Sequence, residues 1–93
     1  MSVTVRIPTP LRKLTENQSE IEIDGKSIES IISNMEARDP GIRDRLCDES
    51  GTVKRFINIY INEEDIRFLE GIDTEVQTGD RISIVPAIAG GSY

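Results

Sequence analysis

The N-terminal part of the chain alternates apolar and polar residues with a period of two, over residues 3–7 and again over residues 19–24. That period is typical of strands with one buried face. Prolines at positions 8 and 10 end the first strand, because proline has no N–H for a sheet ladder. Asp24-Gly25 is a turn signal after the second. The two stretches predict a hairpin, with a turn region over residues 11–17.

The pattern changes to a helical period after Ser27, the predicted N-cap. Four apolar residues follow at i, i+3, i+4 and i+7, which puts them on one helical face. They are Ile28, Ile31, Ile32 and Met35. Ser30 stands where a capping box has Glu or Gln, so the box is predicted to be incomplete. Asp39-Pro40-Gly41 predicts the helix end, since the residue before a proline is disfavoured in the helical region.

The second half of the chain predicts three more strands. Residues 56–62 give the clearest one, with Ile57, Ile59 and Ile61 on one face. A tight charged turn at Glu63-Glu64-Asp65, a short strand over residues 66–68 and a last strand over residues 81–86 complete the pattern. A short helical turn is predicted over residues 42–47. The expected fold is α+β, with one main helix packed on a mixed sheet of four to five strands.

Composition narrows the function classes. The chain has 93 residues, enough for one domain, here predicted as a body over residues 1–86 and a tail over residues 87–93. A net charge of −6 argues against binding to nucleic acid or an anionic membrane surface. The sequence contains neither an apolar run of transmembrane length nor a signal-peptide pattern, so we expect a cytoplasmic protein.

The sequence offers few groups for catalysis. It has no histidine and one cysteine, Cys47, so a zinc site or a Cys–His pair is excluded and no bound cofactor is expected. We expect Cys47 to have a structural or incidental role, Glu63-Glu64-Asp65 to be a solvated turn, and Arg43 and Arg45 to be surface charges. The sequence therefore predicts no catalytic and no metal-binding residues.

Three aromatic residues could form a partner surface. Phe56 and Tyr60 lie on the strand face opposite the isoleucines, and Phe68 follows in the next element. In a sheet covered by one helix the far face meets water, so aromatics there suggest a protein contact. The alternative is that they fill the core or cover a sheet edge.

The chain closes on an apolar strand that runs into small residues and two glycines. This stretch reads Val85-Pro86-Ala87-Ile88-Ala89-Gly90-Gly91, with Ser92 and Tyr93 after it. Glycines have no side chain, so an extended tail of this kind can enter a narrow channel. The five residues 87–91 span roughly 17 Å when extended. A frayed terminus is the alternative.

These residues resemble the MoaD/ThiS family of ubiquitin-like sulfur carriers, which have the β-grasp fold. The likeness rests on the tail and on Gly79-Asp80-Arg81-Ile82. Residues 3–9 and 55–68 are similar to the CysO branch of that family, which serves cysteine biosynthesis. Other members are small subunits of molybdopterin synthase, and protein modifiers share the fold. Both remain alternatives, as does an interaction module without acyl chemistry.

The resemblance implies a mechanism in which partner enzymes act on Gly91. An ATP-dependent activating enzyme would adenylate its carboxylate and sulfur transfer would give a thiocarboxylate. A pyridoxal-phosphate-dependent cysteine synthase would take up that sulfur, and a zinc-dependent JAMM-type peptidase would release cysteine. Ala87, Ile88, Ala89, Gly90 and Gly91 would enter the partners' active sites.

The chain departs from the family pattern after the second glycine. Family members generally end there, whereas Ser92-Tyr93 follow Gly91 here. With a peptide bond to Ser92, Gly91 has no free carboxylate to adenylate. We therefore expect a precursor that a JAMM-type peptidase trims between Gly91 and Ser92.

Overall fold

A computed structural model describes residues 2–86 of the chain, and Met1 and residues 87–93 lie outside the described part. The strands are β1 (Ser2–Arg6), β2 (Glu20–Asp24), β3 (Ile57–Ile61), β4 (Glu64–Asp65) and β5 (Arg81–Pro86). The helices are α1 (Ile28–Arg38) and α2 (Ile42–Leu46), with 3₁₀ helices at Thr9–Thr15, Ile66–Phe68 and Gly71–Asp73. The predicted helix end, the short helical turn and the last strand are confirmed, and residues 9–15 form a 3₁₀ helix where a turn region was expected.

The five strands form one mixed sheet in the order β2-β1-β5-β3-β4. β1 pairs antiparallel with β2, as the predicted hairpin requires, and parallel with β5. β5 also pairs antiparallel with β3 and so lies at the centre of the sheet. Because parallel strands run in the same direction, β1 and β5 both end on the side of the sheet where β3 begins. Arg6, the last residue of β1, pairs with Ser83, and β5 continues from there to Pro86.

One apolar core lies between the sheet and the helices. The strands contribute Val3, Val5, Ile21, Ile23, Ile57, Ile59, Ile61, Ile82 and Ile84, all buried. The helical stripe contributes Ile28, Ile31, Ile32 and Met35, also buried. Each such side chain stabilises the fold by about 1.5–3 kcal/mol when fully buried. The predicted alternation of β3 and the predicted stripe of α1 are therefore confirmed.

The N-terminus of α1 is better capped than the sequence predicts. Ser27 accepts a hydrogen bond from the backbone N–H of Ser30 at 3.2 Å, and Ser30 Oγ accepts from the N–H of Ser27 at 3.0 Å. Ser30 Oγ also accepts from the N–H of Lys26 at 2.8 Å. The prediction of an incomplete capping box is wrong, because a serine hydroxyl reaches the same donors that a glutamate would.

The turn after β3 lies one residue earlier than predicted. Asn62 and Glu63 have φ values of 49° and 75°, and Ile61 pairs with Glu64 across them. Two central residues with positive φ are typical of a two-residue hairpin. Glu64 and Asp65 form β4, and Ile66–Phe68 is a 3₁₀ helix where a short strand was expected. The Asp65 carboxylate caps it by accepting from the N–H of Arg67 at 2.8 Å.

Candidate docking site at the end of the last strand

The last strand, β5, ends at Pro86, at the end of the sheet where β3 begins. Pro86, the last residue of β5, pairs with Ile57, the first residue of β3. Two buried side chains, Ile82 and Ile84, hold β5 in the core. Residues that follow Pro86 are therefore attached to a central strand, next to Ile57 at the start of β3 and just beyond Arg6 at the end of β1. We call this end of the sheet, where these strands begin or end, the tail-exit edge.

The predicted tail residues themselves lie outside the described residues. These are Ala87, Ile88, Ala89, Gly90 and Gly91, followed by the predicted processing site between Gly91 and Ser92. Their roles, and the boundary between body and tail, stay predictions. What the structure describes is the surface from which the tail starts.

A cleft of about 340 Å³ opens beside Pro86 on the β1 side. Its walls include Ile7, Pro8 and Val85, and its polar lining includes Arg6 and Arg12. Arg12 Nε donates to the carbonyl oxygen of Ile7 at 3.0 Å, which fixes the guanidinium group next to the end of β1. The cleft thus combines apolar walls with two cationic groups.

Exposed aromatic side chains lie on the β3 side. Phe56 precedes the residue paired with Pro86 and is 52% exposed, and Phe68 is 84% exposed. Tyr60 is half-buried on the open sheet face, opposite Ser83 of β5. Neither phenylalanine fills the core. The core alternative is therefore excluded for the two phenylalanines. A partner surface formed by Phe56, Tyr60 and Phe68 stays a prediction.

Arg67 connects the 3₁₀ helix that carries Phe68 to the start of β3. Its guanidinium donates to Asn58 Oδ1 at 2.6 Å, to the carbonyl oxygen of Ile57 at 2.8 Å and to that of Arg55 at 3.3 Å. These bonds tie Phe68 to the same end of β3 from which Phe56 projects.

The described residues place no reactive constellation near this edge. Cys47 is buried, and desolvation raises the pKa of its thiol, so the thiolate is disfavoured. Groups of three or more possible metal ligands are absent among residues 2–86. The helices of this same part of the chain are all too short or too polar to cross a membrane.

One predicted surface charge has a more specific position. Arg43 is half-buried, donates to Ser33 Oγ at 3.0 Å and lies 3.5 Å from the Glu29 carboxylate. It therefore ties α2 to α1, a role that the prediction of a surface charge does not include. Arg45 is exposed, as predicted.

Sequence reasoning missed the contribution of Arg6 and Arg12 to this edge. Arg6 reads as one polar position of an amphipathic strand, and Arg12 lies in a segment without a clear period. They meet Val85 and Pro86 because β1 pairs in parallel with β5, which lies more than seventy positions further along the chain. A local pattern contains no signal for such a pairing.

Comparison with known proteins gives consistent matches over nearly the whole chain. The sequence model of the ThiS family matches residues 5–91. The sulfur carrier protein CysO of Mycobacterium tuberculosis is 46% identical over 98% of this chain and 100% of its own length. Small archaeal modifier protein 3 of Haloferax volcanii is 32% identical over 73% of each chain.

The solved structures agree with the fold. The crystal structure of the Amycolatopsis orientalis BexX/CysO complex contains a chain that is 46% identical and superposes with a TM-score of 0.90, covering 96% of this chain and 99% of that one. The predicted α+β fold of the β-grasp type is thereby confirmed.

Proposed function

The chain belongs to the ThiS family of ubiquitin-like sulfur carriers, and on that premise we propose that it carries sulfur as a thiocarboxylate on Gly91. Carriers of this family are not catalysts. Here the chain is the protein co-substrate of enzymes that act on its tail, and the carboxylate of Gly91 is the group that reacts.

The observation that carries this proposal is the end of the family match. The match runs to Gly91 and leaves Ser92 and Tyr93 outside it. The second glycine of the pair is thus the position where the shared pattern stops. The geometry of the body supports this assignment, since β5 is central and ends at an open edge next to a cleft.

The chemistry requires a free carboxylate on Gly91. Hydrolysis of the Gly91–Ser92 peptide bond by a JAMM-type zinc peptidase supplies it. A carboxylate oxygen then attacks the α-phosphorus of ATP on an activating enzyme, and pyrophosphate leaves. A sulfide-level donor attacks the acyl carbon, AMP leaves with the bonding electrons, and the thiocarboxylate remains.

The proposed destination of the sulfur is cysteine. The relative that is 46% identical over its full length is a CysO protein, which supports a CysO-like acceptor. In this reading a pyridoxal-phosphate-dependent cysteine synthase that uses O-phosphoserine takes up the sulfur. The same JAMM-type peptidase class then releases cysteine from the carrier. ATP, pyridoxal phosphate and zinc belong to the partners.

The body contributes position rather than reactivity. Phe56 and Phe68 are exposed on the β3 side of the tail-exit edge, with Tyr60 further along β3, and β5 fixes where Pro86 lies relative to them. A partner that binds the body therefore receives the start of the tail at a defined position, which helps to orient the reacting carboxylate.

Mass spectrometry tests the proposal directly. The chain ending at Gly91 is incubated with an ATP-dependent activating enzyme of the sulfur-carrier type, ATP and sulfide. The expected product is heavier by the exchange of one oxygen for sulfur. The chain ending at Ala89 and the uncleaved chain are the controls and should stay unchanged. The uncleaved chain should react once a JAMM-type peptidase is added. An unmodified Gly91 chain under conditions that load a known carrier would refute the proposal.

A second candidate function is conjugation to other proteins. It is favoured by the match to a small archaeal modifier protein, which covers 73% of each chain. In that case the adenylated Gly91 would be attacked by a lysine amine, giving an isopeptide bond. Lysate from cells that express the chain ending at Gly91 should then contain lysines joined by an isopeptide bond to Gly91, which the chain ending at Ala89 cannot produce.

A further inference from the structure

The tail-exit edge concentrates positive charge in a protein whose net charge is −6. Its cationic residues come from three separate segments. They are Arg6 and Arg12 beside the end of β1, Lys54 and Arg55 before β3, and Arg67 against β3. Since the chain as a whole is acidic, this local excess of positive charge is not explained by composition.

On the β1 side one carboxylate shares the cleft with the two arginines. Glu20 Oε2 lies 3.9 Å from Arg6 Nε, a loose contact between exposed groups. The same oxygen lies closer, at 3.2 Å, to Arg81 Nη2. The negative charge of Glu20 is therefore shared between Arg6 and Arg81. The two positive charges of Arg6 and Arg12 exceed this one negative charge in the cleft.

On the β3 side the cations have neutral partners. Arg55 is exposed and its guanidinium lies 5.5 Å from the centre of the Phe56 ring. The side-chain hydrogen bonds of Arg67 go to an amide and two carbonyl oxygens, so no carboxylate neutralises it there. Phe56 thus has the Arg55 guanidinium at its ring, and aromatic and arginine side chains are the residue types that interfaces favour at anchor positions.

The opposite edge of the sheet has the reverse character. Asp24, Glu63, Glu64 and Asp80 lie along this edge, at the ends of β2 and β3 and the start of β5, with Lys26 as a nearby cation, whereas the Arg81 side chain reaches away from it to Glu20. The molecule is therefore polarised along its strands, with the basic end at Pro86. A dipole of this kind orients a protein as it approaches a charged surface.

We propose that the tail-exit edge docks on an acidic surface of the activating enzyme, where carboxylates border the entrance to the channel that takes the tail. The inference rests on the proposed function and adds the chemistry of recognition to it. Arg6, Arg12 and Arg55 face those carboxylates, and Phe56 fills an apolar site between them. Electrostatic attraction then brings the glycines to the entrance before the tail is threaded, which raises the association rate.

Kinetics of adenylation test this inference. The chain ending at Gly91 is compared with Arg6→Glu, with Arg55→Glu and with Lys26→Glu, using pyrophosphate release by the activating enzyme. Lys26 makes the matched control, because it is exposed, undergoes the same charge change and lies at the opposite edge. We expect each arginine variant to raise KM about tenfold with kcat retained, as loss of a rim charge slows association, and Lys26→Glu to have no such effect.

Two further measurements sharpen the result. Glu20→Gln removes the one carboxylate from the cleft and should lower KM, an effect that misfolding cannot produce. Added salt should raise KM for the unsubstituted chain more than for Arg6→Glu, because salt screens the attraction of Arg6 in the first and the repulsion of the introduced glutamate in the second.

The outcomes separate the two proposals. If the chain ending at Gly91 is adenylated but the arginine variants match Lys26→Glu in KM, the docking inference is wrong and the proposed function stands. If the unsubstituted chain is not adenylated, the proposed function fails and the docking inference fails with it.

Discussion

Arg67 donates a hydrogen bond of 2.6 Å from its guanidinium to Oδ1 of Asn58. This bond joins the 3₁₀ helix after β4 to the start of β3. The same guanidinium donates to the carbonyl oxygen of Ile57 at 2.8 Å. Since Ile57 pairs with Pro86, these bonds support the part of the sheet from which the tail starts.

We expect Arg67→Ala to lower the free energy of unfolding by about 1–2 kcal/mol, because hydrogen bonds to a charged donor are lost from neighbouring acceptors. Urea denaturation measures the change. Arg67→Lys is the matched variant, since lysine keeps the charge but not the planar fork that reaches several oxygens at once. It should lose most of the same stability. A lysine variant as stable as the unsubstituted chain would show that charge, not geometry, matters at this position.

The β3–β4 turn offers a stabilising substitution. Glu63 has φ of 75°, a conformation that costs a residue with a Cβ but not glycine. We expect Glu63→Gly to raise the free energy of unfolding by about 0.5–1 kcal/mol, because relief of this strain outweighs the added flexibility of the unfolded chain. Glu64→Gly, one position later in β4, should instead destabilise. Equal effects of both variants would contradict the assignment of the turn.

The contrast between these neighbouring positions shows where sequence patterns stop being informative. The alternation of Ile57, Ile59 and Ile61 and the stripe of α1 follow from burial on one face, so their elements could be predicted. The sequence predicts the turn one residue late because Asn62-Glu63 lacks the glycine that usually marks a two-residue hairpin. Its left-handed backbone comes instead from the tertiary frame, in which Asn62 bonds both Asp80 and Arg81.

The candidate site was predictable only in part. The glycine pair and the aromatic positions could be recognised from the sequence, because the glycines follow a predicted strand and Phe56 and Tyr60 alternate with the core isoleucines of β3. The cleft beside Pro86 could not, since its basic lining depends on a parallel pairing between distant segments. The Ser30 hydroxyl in the capping box likewise depends on a rotamer, which sequence spacing does not specify.

The carboxylate of Glu36 gives the fold a defined pH dependence. It accepts hydrogen bonds from the backbone N–H groups of Arg43, at 2.9 Å, and Gly41, at 3.2 Å. These bonds hold the pKa of Glu36 below its usual value of 4.5. A folded-state pKa below the unfolded one means that the stabilisation is present above the unfolded pKa and is lost as pH falls through the folded pKa.

We therefore expect the Glu36→Gln variant to have a lower free energy of unfolding than the unsubstituted chain at pH 7. As the pH falls below 4.5, the variant should lose less of its free energy of unfolding than the unsubstituted chain does. Thermal unfolding at a series of pH values measures both. Glu49→Gln is the control, because Glu49 is an exposed loop carboxylate in the segment after α2. If Glu36→Gln and Glu49→Gln gave the same pH profile, the bonds to the start of α2 would not account for the acid sensitivity.

The exposed side chain of Phe68 allows a role in binding to be tested separately from a role in folding. Its side chain is 84% exposed, whereas Ile66, two residues earlier in the same 3₁₀ helix, is 3% exposed. We expect Phe68→Ala to change the free energy of unfolding by less than about 0.5 kcal/mol, and Ile66→Ala to lower it by about 2–5 kcal/mol. If Phe68 belongs to the partner surface, Phe68→Ala should also raise KM in the thiocarboxylate-forming assay while kcat is retained, since an exposed apolar side chain acts by binding alone. A variant with unchanged stability and unchanged KM for every partner enzyme would remove Phe68 from that surface.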